Sequence, residues 1–336
     1  MSDPRDIVVI GGSAGAIEAL TSLVVTLPAE LDAAIFVVVH TLPVGESRLP
    51  EILSRRGPLP AAVAANGEPI VCDRIYVAAP DAHLLIEPGR VRLSMGPRES
   101  GHRPAIDPLF RTAASAYGSR VVGVILSGML DDGSAGLREI RRRGGSAIVQ
   151  DPTEALFPQM PNNAIEVATP QHVVRVADIA RLIVSHVGRP DEGGRTQKVV
   201  EEHVEPNGDR AVVGAGDTPG TPSGIACPEC HGVLWTAPDK VPEFSCRIGH
   251  TYSLEALVEA HSVGLEAALW AGVRALRERA SLANHIARRA ERRGDRRVAA
   301  RFESRAGRAD EYAGRLETML LAQMEKPASD ESVARA

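Results

Sequence analysis

The sequence predicts an α/β protein: a doubly wound, mostly parallel sheet with an antiparallel hairpin, then a small cysteine-bearing module and an α-helical tail. Three observations carry this. Between residues 6 and 185, short β-branched runs alternate with helix-patterned segments, the order expected of a doubly wound domain. The runs are continuously apolar, as in strands buried on both faces of a parallel sheet. Beyond residue 188 the alternation gives way to Gly, Pro and charge.

Strands are predicted at Ile7–Ile10, Ile35–Val39, Ile75–Ala78, Val121–Leu126 and Ala147–Val149, and helices at 15–26, 47–55, 106–117, 134–143 and 177–187. The stretch HLLIEPGRVRLS sets Pro88-Gly89 between two apolar runs, a hairpin turn. Residues 188–223, with GRPDEGGRTQ and GAGDTPGTPSG, read as a linker. Within it, KVVEEHVEP has the composition of a short strand. CPEC, FSCRIGHTYS and a helical pattern from Leu254 to about Gln323 follow.

A chain of 336 residues holds one large domain and something smaller. A net charge of −5 implies no bulk attraction to nucleic acid or membrane. The apolar runs are far too short to span a bilayer, and the opening MSDPRD lacks the regions of a secretory signal. Four cysteines in this length do not make a disulfide framework. They fit a reducing compartment, where clustered cysteines bind metal, so a cytoplasmic location is expected.

The segment DIVVIGGSAGAIEAL, residues 6–20, reads as strand, glycine-rich turn and helix start. Its turn has neither the G-x-G-x-x-G of a dinucleotide site nor the lysine of a Walker loop. It matches G-x-S-x-G through Gly11, Ser13 and Gly15, the pattern that sets a serine on a sharp turn with helix N–H groups aimed at it. A small-residue turn packing helix on sheet has the same signature, so both readings stay open. His40 ends the run IFVVV at the same sheet edge, where open α/β sheets build their sites. It reads as a base or as a packed histidine. In VVGVILSGMLDDGSAG a strand leads to Asp131 and Asp132, orienting acids or N-caps of 134–143. A serine nucleophile needs a base and an orienting acid. Three strand ends at one edge supply them in the order Ser, His, Asp, not the Ser, Asp, His of the α/β-hydrolases.

These stretches resemble the catalytic domain of the chemotaxis receptor methylesterases, the CheB family. The resemblance covers the first 187 residues. It runs in the family's order through VVIGGSAGAIEAL, FVVVHTLP with LPEILSRRGPLPA, IYVAAPDAHLLIEPGRVRL, RPAIDPLFRTAA, VILSGMLDDGSAGL and VQDPTEALFPQMPNNAI. It implies a serine esterase that hydrolyses glutamyl methyl esters on chemoreceptor-like proteins to glutamate and methanol without a cofactor; some members also deamidate glutamine. It carries nucleophile onto Ser13, general base onto His40, and orienting acid onto Asp132, the residue directly before Gly133, rather than Asp131. Met129 lies where the family has a methionine at its site, and the Ala14 and Met129 amides are the expected oxyanion donors. Ala14-Gly15-Ala16 stands where members often have Thr-Gly-Gly, which puts a hydroxyl contact to substrate in doubt. The family's phosphorylatable receiver domain is expected to be absent, because the first strand begins at Ile7; a separate response regulator is then the expected regulatory partner. The alternative is a non-catalytic adaptor that keeps the esterase fold for binding, against which Ser13, His40 and Asp132 together argue.

The last third lies outside this resemblance. Cys227-x2-Cys230 and Cys246-x3-His250 have the spacing of a structural zinc site with two ligands on each of two knuckles. Pro228, Gly232 and Gly249 suit tight turns, and the βαβ context of a redox C-x-x-C is missing. His231 competes with His250 for the fourth place. Four ligands leave the ion no open position, so structure or binding is expected here rather than catalysis. From Arg274 to Arg315 the tail carries 13 Arg and 6 acidic residues, and Leu265, Leu269, Val273 and Leu276 recur at helical spacing. This describes a solvated helical hairpin or coiled coil, or else a docking surface for an acidic protein. Nucleic acid is not expected, since interleaved aromatics are missing.

The expected organisation is a methylesterase-like catalytic domain over 1–187, a linker over 188–223, a zinc-knuckle-like module over 224–253, a helical tail over 254–325 and a disordered terminus over 326–336. Expected partners are a methylated receptor or other signalling protein, with oligomerisation through the tail and no membrane insertion. The linker and the closed ligand set lead us to expect that residues 1–187 cleave a small ester without the zinc module.

Overall fold

The computed structural model describes residues 5–40, 47–187, 220–236 and 243–324. Most of the expected linker, its KVVEEHVEP segment and the terminus at 326–336 lie outside them. The chain divides into two compact units, Met1–Leu257 and Val258–Ala336.

The first unit begins with β1 (Ile7–Gly12), α1 (Ala16–Val25), β2 (Ala34–Val39), α2 (Leu49–Arg56), β3 (Ala61–Val63) and β4 (Arg74–Val77). The hairpin β5 (His83–Glu87) and β6 (Arg90–Ser94) follows, closing at Pro88-Gly89 as expected. Then come α3 (Ile106–Tyr117), β7 (Val121–Ile125), α4 (Ser134–Arg142), β8 (Ser146–Gln150), α5 (Gln159–Ala168), β9 (His172–Val174) and α6 (Val176–His186). Seven strands form one parallel sheet in the order β3-β4-β2-β1-β7-β8-β9. β1, β2, β7 and β8 are buried along their whole length, which is why they read as unbroken apolar runs. β3, β9 and α5 were not anticipated. The two strands are short edges with half-exposed residues, and α5 opens with Pro158 and Pro161 in its first turn, where proline is tolerated but reads as a breaker.

Each face of the sheet carries a helical layer. Leu20 and Leu23 of α1, Leu53 of α2, and Ile179 and Ile183 of α6 pack with Val8, Ile35 and Val124. On the other face Leu109, Phe110, Leu137, Ile140 and Met160 from α3, α4 and α5 pack with Val9, Phe36 and Val121, joined by Leu84, Ile86 and Val91 of the hairpin. The chain runs outward from β1 through β2, then returns to β7 on the other side of β1. The order therefore reverses beside β1, and the adjoining C-terminal ends of β2, β1 and β7 border the crevice where such sheets bind ligands.

Within the same unit, β10 (Thr221–Ala226), β11 (Val233–Thr236), β12 (Glu243–Cys246) and β13 (Thr251–Ser253) make a separate four-stranded antiparallel sheet.

The second unit is a helical hairpin formed by the long helix α7 (Leu254–Arg292), which starts in the first unit, and α8 (Arg296–Met324). Asp295 begins α8, its side chain accepting the Val298 amide at 3.2 Å. The seam uses Ala280, Ala283, Ala306 and Ala309, small residues that let two helices approach, followed by Val273, Ala313 and Leu320. Leu269 and Leu276 pack there too. Leu265, expected on the same face, is 58% exposed, so the apolar stripe read from spacing starts later than predicted. Among the described residues no helix is long and apolar enough to cross a membrane.

Phe36 is fully buried and stacks on Tyr76 with ring centroids 4.9 Å apart. Phe36→Ala is expected to destabilise the first unit by about 3–5 kcal/mol, read as a lower urea midpoint with an unchanged slope.

Candidate active site

At the end of β1 the chain turns through Ser13, Ala14 and Gly15 into α1. Gly15 has φ 74°, and a Cβ there would lie 2.9 Å from Leu156 Cβ, so the turn requires glycine. Ser127, just past β7, fixes the turn from its neighbour strand. Its carbonyl accepts the Ser13 amide at 3.0 Å, and its hydroxyl donates to the Ala14 carbonyl at 2.8 Å and accepts the Phe157 amide at 2.9 Å. The Ser127 amide donates to the buried Gln150 Oε1 at 2.8 Å. Among the described residues, neither the Ala14 nor the Met129 amide donates to a protein acceptor. The Met129 side chain is 52% exposed.

His40 follows β2, and its Nε2 lies 2.7 Å from Oδ2 of Asp132, a residue only 2% exposed. The same Oδ2 accepts the Ile106 amide at 2.7 Å, and Oδ1 accepts the Asp107 amide at 3.0 Å. The carboxylate thus sits on the N-terminus of α3, where unpaired amides and the helix dipole favour negative charge. Burial pushes this carboxyl up, but the His40 contact and the two amides outweigh it and hold it below its ordinary range. An ionised Asp132 accepts a hydrogen bond from the Nε2–H and leaves Nδ1 as the ring's acceptor.

The capping alternative does not describe these aspartates. The N-cap of α4 is Gly133, at φ 93°, with no side-chain cap; Asp131 lends the helix only its carbonyl, which accepts the Ser134 amide at 3.0 Å. So the structure brings His40 and Asp132 into contact and sets Ser13 and Met129 on neighbouring turns of the same edge.

Residues 8–183 match the CheB methylesterase family. The chain belongs to that family. A Leptospira interrogans protein, named provisionally as a protein-glutamate methylesterase/protein-glutamine glutaminase, is 38% identical over 178 residues, 53% of this chain and 92% of its own length. A Methanosarcina acetivorans protein-glutamate methylesterase/protein-glutamine glutaminase is 34% identical over 193 residues, 55% of this chain and 54% of its own. The crystal structure of the Thermotoga maritima CheB methylesterase catalytic domain superposes with a TM-score of 0.53 at 30% identity, covering 55% of this chain and all of that one.

Three residues around the His40–Asp132 pair and the Ser13 turn escaped sequence reasoning. His102 stacks on His40 with ring centroids 3.8 Å apart and planes 15° apart. Burial and the neighbouring His40 hold its imidazole down at about 4, so it is neutral at physiological pH. Ser127 sets the Ser13 turn. Asp107, the second residue of α3, accepts the Gly136 amide at 2.6 Å, and burial and the Asp132 charge push its carboxyl well above the usual range. All three lie within or beside the stretches that resemble the family, which was the one available signal.

Outside the segment matched to CheB, Cys227, Cys230, Cys246 and His250 form a group whose ligand atoms all lie within 4.8 Å of one another. His250 Nδ1 is 3.6 Å from Cys227 Sγ and 3.5 Å from Cys246 Sγ, and the Cys230 and Cys246 sulfurs are 3.6 Å apart. Two turns present them: the Cys227 carbonyl accepts the His231 amide at 2.9 Å, and the Cys246 carbonyl accepts the Gly249 amide at 3.0 Å. Such a Cys3His group can hold a metal ion. His231 is exposed and outside it, so His250 is the fourth member. Cys72 is exposed and separate.

Asp131 differs sharply from its neighbour. Burial pushes it up to about 6, against the lowering effect of a 2.7 Å hydrogen bond from the Ser253 hydroxyl. Folding therefore favours its protonated form, a contribution that is full below the ordinary carboxylate range and lost as pH rises through about 6. Asp131→Asn should leave stability nearly unchanged near pH 4 and raise it by on the order of 2 kcal/mol near pH 8. Urea unfolding of both proteins at the two pH values measures this.

Proposed function

We propose that this chain is a serine esterase that hydrolyses glutamyl methyl esters on a signalling protein to glutamate and methanol, and that it deamidates glutamine at the same centre. The observation that carries the reading is the buried His40–Asp132 contact, set beside the Ser13 turn at the switch-point crevice inside the segment matched to the CheB family. Ser13 Oγ attacks the side-chain carbonyl carbon as its proton passes to His40 Nδ1. The Ala14 and Met129 amides stabilise the oxyanion. The tetrahedral adduct collapses, the C–O bond to the methoxy group breaks, and His40 gives the proton to the departing methoxy oxygen, which leaves as methanol. Water, deprotonated by His40, then releases glutamate and restores Ser13. With a glutamine, ammonia leaves in place of methanol. Asp132 holds the ring and its tautomer throughout. His102 covers His40, and being neutral it adds no competing charge beside the imidazolium.

The working parts are a catalytic domain over 1–187, a zinc module over 224–253 and a helical tail over 254–325 that presents an arginine-rich surface to a partner protein. No cofactor takes part in the ester chemistry. The Cys3His group suits zinc. A tetrahedral ion with Zn–S of about 2.3 Å and Zn–N of about 2.0 Å has ligand–ligand edges of about 3.8 and 3.5 Å, close to three separations of 3.5–3.6 Å in a group that lies within 4.8 Å as a whole. The cytoplasm is the setting this reading implies.

Ser13→Ala is expected to keep the fold and lose roughly 10⁴-fold or more in kcat. A fluorophosphonate probe should label the parent at Ser13 and leave the variant unlabelled. Near-normal turnover by the variant overturns the nucleophile, and a parent that neither labels nor releases methanol from methylated receptors is an adaptor.

Asp132→Asn should cost roughly 10³- to 10⁴-fold in kcat through the wrong histidine tautomer, and Asp131→Asn far less; the reverse order in purified variants reassigns the acid. Metal analysis should find about one zinc per chain, lost when Cys227 and Cys230 are replaced by serine.

A further inference from the structure

We propose that the Cys3His sheet braces the catalytic site: Ser253, held in place by the metal-loaded knuckle, is a positioning residue that fixes the Asp131–Asp132 turn and couples metal occupancy to turnover. The proposal rests on the triad and zinc readings given above, and it replaces the expectation that residues 1–187 work independently of the zinc module.

The brace starts at the metal group. His250 is followed immediately by β13, so the ligand and the strand share one short run of backbone. β13 lies alongside residues 98–100. The Ser100 amide donates to the Thr251 carbonyl at 2.7 Å, and the Thr251 amide donates to the Arg98 carbonyl at 3.4 Å. Glu99 and Thr251 are both buried. Arg98 also meets Glu229, which lies between Cys227 and Cys230, at 3.5 Å. Both knuckles therefore touch the same segment of the catalytic part.

That segment leads into the site. Glu99 and His102 exchange backbone bonds of 3.2 and 2.9 Å, and the Glu99 carboxylate takes two bonds from Arg111 of α3 at 2.7 and 2.8 Å. His102, at its end, stacks on His40. The second point of contact is Ser253. Its hydroxyl donates to Asp131 Oδ1 at 2.7 Å and accepts the Ala256 amide at 3.1 Å, so one oxygen ties the first turn of α7 to the residue before Asp132. A cavity of about 60 Å³ runs between these parts, lined by Asp107, Asp131, Ser134, Arg138, Thr251 and Ser253. One small sheet thus reaches both members of the His40–Asp132 pair, one through His102 and the other through Asp131.

The metal enters through folding. Strands of three to six residues with little apolar core do not hold together unaided, and small modules of this kind draw their folding free energy from the bound ion. Without the ion, β13 is released, and the bonds to Ser100 and Asp131 go with it. The turn carrying Asp132 then loses one of its restraints, and a displacement of a fraction of an ångström in a reacting group slows chemistry strongly.

The test uses the full chain and a small ester, with metal content, kcat, KM and amide exchange measured together. Ser253→Ala should retain its zinc, keep KM nearly unchanged and lose roughly tenfold in kcat. Ser253→Thr, which keeps the hydroxyl, should restore it. Removing zinc from the parent with a chelator should lower kcat to a similar level and accelerate exchange at Ser100 and across 130–134. Chelating Ser253→Ala should lower kcat by less than chelating the parent, because the Ser253–Asp131 contact is already gone and only the Ser100 bonds remain to be lost. Wild-type kcat in Ser253→Ala, or a zinc-free parent with unchanged kcat and exchange, overturns the brace and is the result that independent modules would give. A parent purified without zinc overturns it through the metal reading instead. A parent with no esterase activity implicates the triad reading, while amide exchange still decides whether metal orders the two segments.

Discussion

The carboxylate of Asp132 is the point on which the site hangs. It is buried, yet it accepts two amides at the start of α3 and meets His40 at 2.7 Å. A charge in such a place is tolerated only when its partners offset the lost solvation. The carboxylate and its partners come from three elements: Asp132 from the turn before α4, His40 from the end of β2 and the two amides from the start of α3. Each is thereby located relative to the other two. Gly133, immediately after, allows the left-handed turn that aims Asp132 at α3 and at the same time begins α4. The pair is preorganised because the same bonds that orient the histidine also satisfy a helix terminus.

Much of this was legible in the sequence, for a physical reason. The central strands are buried on both faces, so their composition is mostly Val and Ile. Ser13 and His40 directly follow such strands, and Asp132 lies on the turn between β7 and α4. The edge strands β3 and β9 carry no such signal, and the prolines of α5 read as a loop. His102 and Ser127 were missed because their roles are tertiary. Stacking on His40 and bridging to the Ala14 carbonyl join residues 62 and 113 positions apart, and nothing local marks them. The Cys3His group was legible because ligand spacing is a local property. The seat of β13 beside Glu99 was not, because Thr251, Tyr252 and Ser253 form an ordinary short strand until their neighbours are known.

Adjacent aspartates with opposite behaviour show how little residue type decides. Asp131 and Asp132 share the chain and differ in what faces them. Asp132 has a histidine and two amides; Asp131 has one serine hydroxyl, its own burial and the charges of Glu255 and Asp132. One is held ionised and the other pushed toward neutrality, the divergence by which a pair of like groups takes different roles.

The turn after the nucleophile illustrates how a site can change a side chain and keep its geometry. Ala14 stands where the family pattern often has threonine, so a hydroxyl is lost there. The conformation of the turn does not depend on that hydroxyl. It depends on Gly15, which alone accommodates the positive φ against Leu156, and on Ser127, whose carbonyl and hydroxyl hold Ser13 and Ala14 from the neighbouring strand. Gln150, buried in β8, fixes Ser127 in turn. The orientation of the Ala14 amide is therefore set by a chain of backbone and side-chain bonds across β1, β7 and β8, none of which uses the side chain at position 14. An amide held that way meets a developing oxyanion without reorganising, which is the condition under which such a donor is effective. On the proposed mechanism, the alanine at this position leaves the chemical step to the scaffold.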